Sequence, residues 1–68
     1  MLLKNADLGK KLKIIKLNDY KLKHLALQGA ICFVLMRKKR YFVLRVLGRG
    51  RLALDINLEN FIEVDYYG

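Results

Sequence analysis

The stretch Ala30-Ile31-Cys32-Phe33-Val34-Leu35-Met36-Arg37-Lys38-Lys39-Arg40-Tyr41-Phe42-Val43-Leu44-Arg45-Val46-Leu47 decides the fold. Two apolar runs, rich in β-branched and aromatic residues, flank four consecutive cations. Such side chains suit a pleated surface. Arg37-Lys38-Lys39-Arg40 is too polar for a core and reads as a hairpin turn. Ala30–Met36 and Tyr41–Leu47 are therefore expected to be adjacent antiparallel strands. Arg45 belongs in water. Side chains alternate along a strand, so Tyr41, Val43 and Leu47 point out with it, and Phe42, Leu44 and Val46 point in.

Downstream, Gly48-Arg49-Gly50 is a turn in which glycine permits positive φ. Arg51–Leu54 is a short fourth strand. Asp55 can cap one helical turn that runs through Asn60. Phe61–Val64 is a fifth strand. Upstream, Lys11–Leu17 sets Leu12, Ile14 and Ile15 among lysines and reads as the first strand. Asn18-Asp19 ends it, and Asp19 can cap a helix over Tyr20–Gln28 that Gly29 stops. Leu22, Leu25 and Ala26 have the spacing of a core-facing stripe, with Lys21, Lys23, His24 and Gln28 toward water. Connections this short exclude the crossovers of a parallel sheet. Five short strands with tight turns predict a single all-β domain over residues 1–68, a small barrel that removes open sheet edges.

Composition narrows the function. The chain has 68 residues, so its core is thin; a chain of this size buries about 60% of its unfolded surface. Its hydrophobic content is 54%, more than such a core can hide, which predicts an apolar contact surface. Fourteen Lys and Arg against six acids give a formal charge of +8. That balance favours an anionic partner: nucleic acid, an anionic membrane surface or an acidic protein. The longest uncharged stretch, His24–Met36, falls short of the roughly 20 residues of a membrane span. The N-terminus lacks the apolar core of a signal peptide, and a lone thiol fits a reducing compartment, so a cytoplasmic location is expected.

Catalysis has few candidates. There is no Ser and no Thr to act as a nucleophile. Cys32 lies within an apolar strand, where a thiol behaves as a small hydrophobe. His24 sits among lysines. One Cys and one His are too few for a structural zinc site, and the six acids are scattered, so neither a metal nor a cofactor is expected. No phosphate-binding loop with a Lys-Ser/Thr ending is present. The expectation is a binding protein and not an enzyme.

Two stretches carry a resemblance. Val46-Leu47-Gly48-Arg49-Gly50-Arg51-Leu52-Ala53-Leu54, followed by Phe61-Ile62-Glu63-Val64, resembles the ferrous iron transport protein A (FeoA) family. There, a glycine turn precedes an Arg-hydrophobic-Ala-Leu strand, and a short acidic helical turn leads to an Ile-x-Val strand. Leu8-Gly9-Lys10-Lys11-Leu12-Lys13-Ile14-Ile15 is similar to the family's opening. The junction after the helix has only Gly29, and Arg37–Arg40 stands in place of a longer loop. The resemblance implies an SH3-like barrel with a helix inserted after the first strand. It also implies an accessory role on the cytoplasmic GTPase part of a FeoB-type iron transporter. It places Cys32, Val34 and Met36 inward, which leaves Ile31, Phe33 and Leu35 outward.

The resulting candidate partner surface is Ile31, Phe33, Leu35, Tyr41 and Val43, rimmed by Arg37, Lys38, Lys39 and Arg40. It could take the transporter domain or a second copy of the chain. In an alternative arrangement Met1, Leu2 and Leu3 fold back over it. The competing function is nucleic-acid binding, in which the Arg37–Arg40 turn seeks phosphate and the neighbouring Tyr41 and Phe42 stack on bases. The same turn could touch an anionic membrane surface, where each cation contributes about 1 kcal/mol.

Overall fold

The computed structural model describes the backbone of all 68 residues and the side chains of all but residues 23–25. In chain order the elements are a 3-10 helix η1 (Leu3–Asn5), strand β1 (Leu12–Leu17), a 3-10 helix η2 (Tyr20–Leu25), strands β2 (Ile31–Arg37), β3 (Tyr41–Val46) and β4 (Gly50–Asp55), a 3-10 helix η3 (Ile56–Phe61) and strand β5 (Ile62–Tyr66). The strands form one antiparallel sheet in the order β4-β3-β2-β1-β5. This is the strand order of an SH3-like barrel, as expected. The sheet curls around a single core, and η3 connects the two edge strands and touches β3, β4 and β5.

Each strand contributes the side chains that its alternation sends inward. Leu12 and Ile14 of β1, Cys32 and Val34 of β2, Phe42, Leu44 and Val46 of β3, and Ile62 and Val64 of β5 are all buried. Leu52 and Leu54 of β4 are half-buried against them. The β3–β4 turn closes when the Arg49 amide donates to the Val46 carbonyl at 3.0 Å. Gly48 and Gly50 there adopt φ of 85° and 81°, which a side chain would resist. Asp55 caps η3 as expected, accepting from the Asn57 amide at 2.9 Å.

The inserted helix differs from the expectation. It is a 3-10 segment of six residues and stops before Gln28. Ala26 then takes φ of 49° and is exposed, so it is not the core residue its spacing suggests. The reversal sends Leu27 into the core instead, beside Leu22. The cause is the need to return the chain to β1: the Gly29 amide donates to the Ile14 carbonyl at 2.6 Å, and Ile31 pairs with Lys13. The expected orientations of Lys23, His24 and Leu25 lie outside the described side chains.

A second difference sits in β2. Val34 faces Leu44, but Met36 faces Val43, so Leu35 is an extra residue on the β2 side. Such a bulge resets the alternation. Met36, expected inward, is 39% exposed. Arg37, expected in the turn, is the last residue of β2 and lies opposite the buried Phe42. It projects toward the end of the barrel and meets Glu59 of η3, which is 1% exposed. The Arg37 Nε–H donates to both carboxylate oxygens, at 2.9 and 3.2 Å, and Nη2 donates to the Leu3 carbonyl at 2.8 Å.

The N-terminal segment is likewise part of the barrel. Leu2 bridges Glu63, the Val64 amide donates to the Met1 carbonyl at 2.8 Å, and Leu3 and Ala6 are buried. Met1–Leu3 thus cover the free edge of β5 and leave the outer face of the β2–β3 hairpin open, contrary to the fold-back alternative.

Removing one member of the Arg37–Glu59 pair strands a buried charge. Arg37 keeps part of its side chain in water, so Arg37→Ala should cost about 3 kcal/mol in denaturant unfolding, the low end of the usual range. Replacing both residues with methionine should recover most of that loss.

Candidate partner-docking surface

The register places the candidate residues. On the outer face of the sheet, Phe33 lies opposite Arg45, and Arg45 lies opposite Arg51. The next row is Met36, Val43 and Ala53, and the one beyond pairs Tyr41 with Asp55. At the other end Ile31 faces Lys13. Ile31, Phe33 and Val43 share this face with Tyr41, as expected, and Leu35 sits at the bulge beside them. Ile31, Phe33, Leu35 and Val43 are half-buried by their neighbours, and Tyr41 is exposed. The face is an apolar strip on a hydrogen-bonded sheet, with arginines across its middle.

The rim divides. Lys38, Lys39 and Arg40 are exposed at the hairpin end, where the Lys38 amide donates to the Tyr41 carbonyl at 2.8 Å. Arg37 is not with them, because its guanidinium is held by Glu59 and Leu3. Arg37–Glu59 is the one ion pair among the described residues. Sequence reasoning missed Met36 and Ala53, which complete the strip. Ala53 is small and uncharged and carries no signal of its own. Met36 follows a bulge that no period-two pattern encodes.

A separate cleft of about 570 Å³ opens between the β1–β2 connection and η3, with Tyr20, Leu58 and Phe61 on its walls. Asp19 and Asp55 lie at its margin, each bonded to a turn amide, Lys21 at 2.7 Å and Asn57 at 2.9 Å. Their carboxylates make this cleft unsuited to phosphate.

The remaining chemistry-bearing groups are dispersed. Among the described residues no three of His, Cys, Asp and Glu converge. No described helix is long and apolar enough to cross a membrane. Cys32 is fully buried in β2, and burial pushes its thiol pKa up to about 11. Comparison with known protein families, with curated proteins and with solved structures finds no match to this chain.

Cys32 should resist thiol-directed labelling at neutral pH in the native protein and react promptly in denaturant. Because folding raises this pKa, the neutral thiol contributes stability that is fully present below about pH 9 and is lost as pH rises through about 11. Cys32→Ala should flatten that alkaline loss in a pH series of unfolding midpoints.

Proposed function

We propose that this chain is a non-catalytic accessory protein of ferrous iron transport, a cytoplasmic module that binds and modulates the GTPase part of a FeoB-type transporter. The observation that carries a docking role is the outer face of β2–β4. It is an apolar strip of Ile31, Phe33, Met36, Val43 and Tyr41, crossed by Arg45 and Arg51 and fixed by a hydrogen-bonded sheet. An apolar centre with a charged margin is the usual anatomy of a protein interface. The identity of the partner rests on the resemblance described above, whose quoted stretches form β4 and β5 with η3 between them. Lys38, Lys39 and Arg40 would then face the anionic membrane surface beside the transporter, where positive charge is favoured.

Nucleic-acid binding through the hairpin is the second reading. It is favoured by three exposed cations next to Tyr41, and weakened by the withdrawal of Arg37 into an internal ion pair.

The test is an NMR titration of the labelled chain with the transporter's GTPase domain and, separately, with single-stranded oligonucleotides. The expected result is amide shifts at Phe33, Val43 and Tyr41 with the GTPase domain. Phe33→Glu together with Val43→Glu should leave the barrel folded, since Arg45 lies opposite the new carboxylate at position 33, and should abolish those shifts. Shifts confined to Lys38–Tyr41 with oligonucleotide, weakening steeply with salt, would support nucleic-acid binding instead.

A further inference from the structure

The two edges of the sheet are treated differently. The outer edge of β5 is covered, because Leu2 bridges Glu63 and the Val64 amide donates to Met1. Among the described residues, the outer edge of β4 has no such cover. The ladder between β3 and β4 is continuous over six pairs without a bulge, and the Ile56 amide donates to the Arg40 carbonyl. Hydrogen-bonding direction alternates along an antiparallel strand. The Ile56 bond therefore assigns Leu54, Leu52 and Gly50 to bonds with β3. Arg51 and Ala53 direct their amides and carbonyls away from the sheet, and both residues are exposed. An unpaired edge of this kind is a template for another strand, and proteins that remain single usually blunt it.

We propose that the β4 edge pairs with the β4 edge of a second copy, antiparallel and two-fold symmetric about Ala53. The occupant and the register follow from the side chains. Only edge-directed residues can pair with each other, so the allowed registers move in steps of two. With Ala53 opposite its own copy, Arg51 of each chain lies across from Asp55 of the other, on the outer face. Half-buried Leu52 meets Leu54 of the other chain on the inner face. Centring the pair on Arg51 instead would set Arg51 against itself, and opposed like charges are destabilising. The Arg-x-x-x-Asp spacing within β4 is thus self-complementary in one register, as a two-fold contact requires.

The contact is small beside the roughly 1,200–2,000 Å² of stable interfaces, so the dimer is weak and forms in proportion to concentration. It joins two docking faces side by side in one continuous sheet. The inference does not depend on which partner those faces take.

Sedimentation velocity over micromolar to millimolar concentrations tests it. The wild-type chain should pass reversibly from monomer to dimer. Ala53→Pro removes an amide that the barrel does not use, so it should fold and remain monomeric. Arg51→Glu sets two carboxylates against each other in each pair, and Asp55→Lys sets two cations. Each variant alone should weaken the dimer by about tenfold or more. Their equimolar mixture restores both opposite-charge pairs and should dimerise again. Should Asp55→Lys fail to fold, having lost the η3 cap, the Ala53→Pro and Arg51→Glu results still decide. A wild-type chain that stays monomeric throughout, an Ala53→Pro variant that dimerises like wild type, or a folded mixture that stays monomeric would overturn the proposal.

Discussion

The bond between Arg37 and Glu59 ties together three parts of the chain that are distant in sequence. Arg37 ends β2, Glu59 lies on η3, and the same guanidinium holds the Leu3 carbonyl of η1. Burying a carboxylate as deeply as Glu59 is costly without a hydrogen-bonded partner, and the Arg37 guanidinium is that partner. In so short a chain the hydrophobic core alone leaves little margin. The ion pair anchors η3, which connects β4 to β5 and touches β3, β4 and β5. It also seats the N-terminal segment, whose Leu3 and Ala6 extend the core and whose Met1 and Leu2 cover the β5 edge.

The same interaction sorts the positive charge. Of the four consecutive cations at the β2–β3 hairpin, one turns inward to an internal carboxylate and three stay in water. The bulge at Leu35 makes this possible by turning Arg37 toward the interior side and Met36 toward the exterior. The outer face gains an apolar residue and loses a charge. A strip of apolar side chains with a cationic margin suits a protein surface better than a bare polyanion, which is why the docking reading is preferred.

Most of the fold was legible in the sequence because strand and turn signals are local. Arg45 alone orients β3, and Phe42, Leu44 and Val46 are buried as its alternation requires. Asp55 and the glycines at 48 and 50 mark their turns through chemistry that needs no tertiary context. What was not legible arises from long-range pairing. Leu22 was readable by spacing, but Leu27 enters the core only because the chain must come back to pair with β1. Met36 and Arg37 are misplaced by any strict period of two, since a bulge is decided by both strands together. Glu59 reads as one more scattered acid until Arg37 is brought to it. On the candidate surface, Phe33, Val43 and Tyr41 were legible as outward residues, whereas Ala53 joined them only through the β3–β4 register.

The central claim is that Arg37 is an internal brace, distinct in role from the neighbouring cations of the hairpin. The most direct measurement is the arginine Nε–H region of an NMR spectrum recorded over a pH series, with hydrogen exchange followed signal by signal. The Arg37 Nε–H, bonded to a buried carboxylate, should stay sharp and exchange far more slowly than that of Arg40, and Glu59→Gln should speed its exchange without altering Arg40. An Arg37 signal that exchanges as fast as Arg40, or that ignores the change at Glu59, would contradict the account.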